Sequence, residues 1–498
     1  MLVLYELINM LPLSFEPTFS KRLNDLFFLL KKEKLTEAEA AARLIGDNLS
    51  RKYFNKIKND LRKALVNYIM VYPSTWADTK QKQLCDHCYK NFTIYKTLLL
   101  SGQRTAAIEI ASSILTKAIS AELFEVAYTI ASDLEYHYSA INIKTSAVRK
   151  YTQLANQFLQ LVDQERIVRY QHNRIKQIHL SSKSITAADI TSFEEAIEVV
   201  SPLIQLNSPK LNRLIYDIIV MRYYATYHYA PIVHYCDEAI ATFPSSHPNF
   251  TALKFNFLQR KIPALIALGS TSEAKIIAKQ AGQMVSKGTF NWHLILIQRV
   301  EACFHNSEFQ EAYELYKAHA KYGCRFSILT EYWLIIRAYL YFFIQIGRIT
   351  PYSEERFNLG KFLNEIPFYS RDKSGVNINI LIVQILVQIQ REQFGRIIDR
   401  IDALRAYAHQ HTRSPETARA YLFIQMIIKM EAASFHRAAT ERKTKKLLDK
   451  LQNTPLRIGQ NIAVEMVPFD FLWQEILALL ANKFRGIKLN KHPTRRGR

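Results

Sequence analysis

The sequence predicts an all-α protein built as an array of stacked helix pairs, and three observations predict it. Nearly every segment carries apolar residues at helical spacing, and strand-like alternation is hard to find. Glycine and proline number only 13 and 15 in 498 residues, about half of what ordinary usage of roughly 7% and 5% supplies. Turn-rich β folds need more of both, whereas a helix-turn-helix unit needs one or two breakers. Those breakers, among them Pro73, Gly102, Pro202, Gly269, Gly347, Pro367, Pro415 and Pro455, leave helices of roughly 12 to 20 residues between them.

The bulk numbers narrow the class. Hydrophobic residues make up 49% and charged residues 22%, which excludes a wholly disordered chain. The net charge of +22 favours attraction to polyanions or acidic proteins but says nothing of fold. The five cysteines (85, 88, 236, 303 and 324) are odd in number and irregularly spaced, unlike a disulfide framework, and fit a reducing compartment. "MLVLYELINMLPLSF" has no basic start and contains Glu6, unlike a secretory leader. The windows "EYWLIIRAYLYFFIQIG" and "INILIVQILVQIQ" are interrupted by Arg337 and by glutamines, short of the roughly 18 apolar residues of a span. The expectation is a cytoplasmic protein without a membrane span.

Residues 1–80 read as a helical module: "PTFSKRLNDLFFLLKKEKL", "TEAEAAARLIGDNL" and a basic helix over 50–70, with Thr36 and Ser50 placed as N-caps. In the basic helix, Tyr53, Phe54, Ile57, Leu61, Ala64, Leu65 and Tyr68 share one face. Arg51, Lys52, Lys56, Lys58, Arg62 and Lys63 fall on the other, a candidate polyanion contact. Few side chains there can read base edges, so phosphate contact without sequence specificity is the expectation.

From 81 to 455 a pattern recurs. "LGSTSEAKIIAKQAGQMV" places Gly269 at a helix junction and Ala274 five residues on. "SGQRTAAIEIASSILTKA" repeats this with Gly102 and Ala107, and "HNSEFQEAYELYKAHA" gives Phe309, Ala312 and Tyr316. "YHYAPIVHYCDEAIATFP" gives Tyr229, Ile232, Cys236, Ala239 and a closing Pro244, while "REQFGRIIDRIDALRAYA" and "EAASFHRAATERKTKKLL" carry Phe394, Phe435 and Ala438. The units lie roughly 40 residues apart. A small residue is needed where two helices cross, a residue just before it ends the first helix, and each pair leaves an apolar face that the next must cover.

At these residues the chain resembles the tetratricopeptide repeat family in degenerate form, over residues 86–450 and most fully over 212–286. The resemblance implies a right-handed α-solenoid of stacked antiparallel helix pairs whose first helices line a groove, and a role in binding peptides or proteins. Residues 456–483, including "FDFLWQEILALLANKF", are expected to form a C-terminal capping helix, followed by a basic tail over 484–498 that is expected to be disordered.

Catalytic, cofactor and metal motifs do not emerge. "CDHC" offers Cys85, His87 and Cys88 without the second ligand pair a structural zinc site wants. His409 and His411 point to different sides of a helix. Phosphate loops, GxSxG and HExxH are absent. "MRYYATYHYAPIVHY" clusters Tyr223, Tyr224, Tyr227, Tyr229 and Tyr235, which suits helix packing or the stacking of ring-bearing ligands.

The expected function is a non-enzymatic scaffold that binds a protein or peptide, with an acidic partner favoured by the net charge. The alternative starts from "LTEAEAAARLIGDNLSRKYFNKIKNDLRKAL", which resembles a helix-turn-helix. Some bacterial regulators join such a unit to a tetratricopeptide-like array. That resemblance implies a bacterial nucleic-acid-binding regulator with a peptide-sensing array.

Overall fold

A computed structural model describes residues 1–11, 15–45, 51–71, 79–181, 185–206, 208–352, 360, 374–398, 401, 404–405, 417–458 and 465–480. Among them are 20 α-helices, one 3-10 helix and no strand. Consecutive helices pack on one another along the chain. The contacts divide it into two compact units: residues 1–166 with 245–250, and residues 167–244 with 251–498.

The first unit begins with α1 (Leu2–Asn9), α2 (Lys21–Lys32), α3 (Glu37–Ile45) and α4 (Arg51–Val71). Sequence reading expects three helices here; the structure adds α1, whose Leu4 and Ile8 are buried with Phe15, Phe27 and Leu61. The Tyr5 hydroxyl ties α1 to the α2–α3 connection, accepting from the Leu35 amide at 2.6 Å and lying 3.1 Å from its carbonyl oxygen. Thr36 caps α3 as expected. Its Oγ1 accepts from the Glu39 amide at 3.3 Å, and the Glu39 carboxylate accepts from the Thr36 amide at 2.7 Å, a reciprocal capping box. Gly46 and Ser50 lie outside the described residues. The unit continues with α5 (Lys80–Leu100), α6 (Arg104–Ser120), α7 (Phe124–Ala140) and the first part of α8 (Thr145–Ser181).

The second unit holds the rest of α8, then α9 (Ala187–Val200), a 3-10 helix (Ser201–Leu206), α10 (Pro209–Ala225), α11 (Tyr229–Ala241), α12 (Phe250–Ala267), α13 (Thr271–Gln283), α14 (Phe290–His305), α15 (Phe309–Ala320), α16 (Ser327–Gln345), α17 (Ser374–Gln390), α18 (Ala418–Ala432), α19 (Arg437–Asn453) and α20 (Phe469–Leu479). Helix α8, at 37 residues, exceeds the expected helix length and interrupts the rhythm.

The repeat is a backbone device. Gly102, Glu122, Tyr227, Gly269, Ser307, Gly347, Glu392 and Ser434 all have positive φ. After each, the next amide donates to the carbonyl five residues back: Gln103 to Leu98, Leu123 to Ala118, His228 to Tyr223, Ser270 to Leu265, Glu308 to Cys303, Arg348 to Phe343, Gln393 to Gln388 and Phe435 to Met430, all at 2.8–3.1 Å. This is the Schellman closure, which satisfies a helix's last carbonyls and, at all but the Gly347 turn, leads the chain within three residues into the next helical segment. Five residues past the turn stand Ala107, Ala127, Ile232, Ala274, Ala312 and Ile397, each fully buried. Only three of the eight turns use glycine, so most were invisible to a search for breakers. Ala438 is a correction: it is exposed and Thr440 takes the buried place. Phe435 is also left-handed there, which lengthens the turn by one residue before α19. Ala239 is fully buried, Pro244 is exposed just past α11, and Tyr316 is half-buried against Trp333.

Ion pairs link successive helices of the second unit. Lys261 on α12 reaches Asp237 on α11 at 2.8 Å and Glu273 on α13 at 3.3 Å. Lys275 on α13 holds Glu308 and Glu311, and Arg299 on α14 reaches Glu311 at 2.7 Å.

The C-terminal segment crosses several of these pairs. Ile458 exchanges hydrogen bonds with the Tyr229 hydroxyl, its amide donating at 2.6 Å. The Glu465 carbonyl lies 3.0 Å from His305 Nε2, Phe471 packs on Phe309 and Phe343, and Glu475 accepts from Arg348 at 2.6 Å. Helix α20 therefore does more than close the last unit; its Phe469, Leu472, Trp473 and Ile476 are fully buried core. The tail over 484–498 lies outside the described residues. Among the described residues one helix, Ser327–Gln345, is long and apolar enough to cross a membrane, and 56% of its most apolar window is buried inside the fold.

Arg419 joins three helix ends. It donates to the Glu465 carboxylate through Nε at 2.7 Å and Nη2 at 3.0 Å, and through Nη1 to the Leu451 and Thr454 carbonyls at 2.7 and 2.8 Å. Glu465 also accepts from the Phe469 amide at 2.7 Å, at the start of α20. Glu465→Gln is expected to cost about 3–5 kcal/mol, because it strands a buried guanidinium. Arg419→Met with Glu465→Leu should cost less than the two single changes added together. Urea unfolding of Glu465→Gln, of the double variant and of its two single components checks this, and additive losses would refute a coupled pair.

Candidate functional site

A cavity of about 430 Å³ opens in the second unit between α9, the 3-10 helix, α10 and α11. Its lining combines Ile197, Ile204 and Ile219 with tyrosines and glutamates. Tyr216 on α10 is buried, and its hydroxyl donates to Glu238 Oε1 at 2.8 Å, an acceptor held one turn beyond His234 on α11. Burial first, and the Glu238 bond second, push this phenol well above its ordinary range. Tyr223 and Tyr235 stack across α10 and α11, centroids 5.5 Å apart and planes 17° apart. Burial first, and the hydrogen bond shared with Tyr223 second, raise Tyr235 as well. Tyr216 and Tyr235 are thus neutral near pH 7 and serve as ring faces and hydrogen-bonding groups rather than bases.

Charge at the cleft is acidic. Arg222 reaches Glu194 at 2.9 Å and lays its guanidinium 4.9 Å from the Tyr223 centroid. Glu198 is exposed one helical turn further on, on the same face of α9. The three carboxylates therefore outnumber the one guanidinium.

The tyrosine cluster read from sequence divides in two. Tyr223 and Tyr235 line the cleft. Tyr224 is fully buried and donates to the Arg260 carbonyl, Tyr229 holds Ile458, and Tyr227 sits in the left-handed turn with the Arg457 guanidinium 4.8 Å from its ring. Sequence reasoning missed Tyr216, Glu194, Glu198 and Glu238. The available signal was the i, i+4 glutamates of "SFEEAIEVV"; nothing local linked them to a tyrosine on another helix.

In the first unit, Phe54, Ile57, Leu61 and Leu65 of α4 are buried, while Tyr53, Ala64 and Tyr68 are half-buried. Lys52, Lys56, Arg62 and Lys63 are exposed on the other side. Lys58 is drawn to Glu37 of α3 at 3.0 Å and is half-buried. Helix α4 starts at Arg51, whose side chain lies outside the described residues. Gly102 sits at a turn and Ala107 in the packing that follows it, and neither lines the cleft.

Other titratable clusters are internally satisfied. Cys85, His87 and Cys88 lie on α5, His87 Nε2 2.8 Å from the Lys117 ammonium, and burial pushes the Cys88 thiol up to about 11. Cys303, Glu308 and Glu311 gather ligand atoms within 4.8 Å, yet Lys275 and Arg299 already neutralise the two carboxylates. His409 and His411 lie outside the described residues. His172, Asp217 and Arg260 form a buried cluster joining α8, α10 and α12, with His172 Nε2 2.8 Å from the Asp217 carboxylate, which Arg260 also engages. Burial and Arg213 bring the Arg260 guanidinium down to about 9.

Searches with family models, among curated proteins and among solved structures find no match to this chain.

The buried imidazoles set a pH dependence. His319 stacks on Trp333 at 3.7 Å and 8°, with Nδ1 3.2 Å from that of His293. Burial first, and His293 second, hold His319 down to about 4 from 6.5. A depressed imidazole favours the folded state above pH 6.5, and that advantage drains away as pH falls toward 4, where the unfolded chain takes up the proton first. The loss from this group is expected to be on the order of 3 kcal/mol. Urea unfolding between pH 7 and 4 should show a shallower fall for His319→Phe, which keeps the stacked ring; an unchanged slope would remove His319 as the cause.

Proposed function

We propose that this chain is a non-enzymatic scaffold that binds a protein or peptide on an array of helix pairs. The reading includes the finer architecture: a right-handed, tetratricopeptide-like solenoid of antiparallel pairs, active where such proteins reside in the cytoplasm. The observation that carries it is the cleft of Tyr216, Tyr223, Tyr235, Glu198 and Glu238, standing between consecutive helices at the first of the turns, from Tyr227 to Ser434, that recur roughly every forty residues. Much of such a site is preformed: Tyr216, Tyr223, Tyr235 and Glu238 are held by stacking and hydrogen bonds, so a ligand loses little affinity to ordering them.

Selection of a random peptide library displayed on phage, against the full chain, tests this. Enrichment of peptides with a shared spacing of side chains, binding the native but not the heat-unfolded chain, is expected. No enrichment would overturn the reading.

The second reading, a nucleic-acid-binding regulator with a basic N-terminal module and a peptide-sensing array, is favoured by the row of Lys52, Lys56, Arg62 and Lys63 along the exposed side of α4. It predicts binding to random duplex DNA that weakens with salt. Changing Lys56, Arg62 and Lys63 to Glu would flatten the log–log salt slope by about 3. Absence of binding at low salt removes it.

A further inference from the structure

The cleft between α9, α10 and α11 has a sign opposite to that of the whole chain. The protein carries +22, yet Glu194, Glu198 and Glu238 line the cleft against the single cation Arg222. Net charge would lead one to expect an acidic partner, but an acidic side chain entering here meets carboxylates in a half-desolvated space, where like charges repel strongly.

The cleft already holds one guanidinium. Arg222 lies 4.9 Å from the Tyr223 centroid and 2.9 Å from Glu194, a ring face and a carboxylate together. The same two groups recur beside it: Tyr235, stacked on Tyr223, and the carboxylates of Glu198 and Glu238. Glu238 has its Oε1 committed to the Tyr216 hydroxyl, which fixes the carboxylate's orientation, and its Oε2 lies 3.5 Å from His234 Nε2 at the exposed rim. Glu198 is exposed and makes no ion pair with any described residue. The volume, about 430 Å³, lies at the small end of ligand-sized cavities.

We infer that this cleft binds an arginine side chain of a basic peptide segment. A guanidinium is planar and weakly hydrated. It can stack on Tyr235 while its N–H groups donate to Glu198 and Glu238, a geometry that an ammonium matches less well. The lining isoleucines take the methylene stem. The inference rests on the scaffold reading and gives it a ligand chemistry.

Fluorescence anisotropy with the full chain and labelled peptides GRGRG, GKGKG and GEGEG tests it. The arginine peptide is expected to bind best and the glutamate peptide worst, with affinity falling as salt is added. Glu198→Gln with Glu238→Gln should weaken the arginine peptide by about tenfold or more, since two charge-assisted bonds are lost. Glu109→Gln with Glu125→Gln, exposed carboxylates on α6 and α7, removes equal charge elsewhere and should change it by less than about twofold. The single change Glu198→Gln, at an exposed position, guards against misfolding of the double variant and should itself weaken binding. Equal binding by the cleft and control variants, preference for GEGEG, or no binding of GRGRG overturns the inference. Phage-selected peptides that bind without arginine would also overturn it while leaving the scaffold reading in place.

Discussion

The second unit depends on one buried ion pair. Arg419 and Glu465 are 46 residues apart in sequence, and between them they complete the start of α18, the end of α19 and the start of α20. Burying two charges is costly, and only full hydrogen bonding offsets the loss of water. Here the guanidinium spends its donors on a carboxylate and two backbone carbonyls, and the carboxylate spends its remaining capacity on the Phe469 amide. Helix ends that would otherwise leave orphan carbonyls and amides are satisfied by the same pair. With Glu465 held, the residues around it bring Ile458 to Tyr229 and Phe471 to Phe309 and Phe343. The return segment thereby adds long-range contacts to an array whose other contacts are mostly between neighbours, and the second unit gains cooperativity that a simple stack lacks.

The array itself runs on a turn rather than on a sequence motif. At eight turns a left-handed residue closes a helix, and in six of them a fully buried position follows five residues on. Gly102, Gly269 and Gly347 announce that turn, because glycine takes positive φ without steric cost. Tyr227, Ser307 and Glu392 adopt it through the packing of the helices on either side, which outweighs an unfavourable local conformation of roughly 1–2 kcal/mol. A reading based on glycine and alanine spacing finds the units it can and misplaces one, at Ala438, where an extra left-handed residue shifts the register.

The binding surfaces follow different logics. The basic side of α4 is a consequence of amphipathic patterning: four apolar residues seat the helix and the cations are left outside. The cleft is a consequence of assembly, since α9 supplies Glu194 and Glu198, α10 supplies Tyr216 and Tyr223, and α11 supplies Tyr235 and Glu238. Its local acidity is screened from the positive whole by distance and solvent, so the charge a ligand feels there is that of the nearest few groups. Net charge is a poor guide to such a site.

By itself the sequence determined the helical class, the N-cap at Thr36, the inward face of α4 and those turns that glycine marks. Each is local, decided by residues within a turn or two of one another, and the helical period states directly which face is apolar. Tertiary structure alone decided which neighbour covers that face. It brought Arg419 to Glu465, sent the C-terminal helix back into the core, and separated Tyr223 and Tyr235 at the cleft from Tyr224 and Tyr229 in the packing. Those outcomes depend on how helices distant in sequence meet, and periodicity carries no record of the partner.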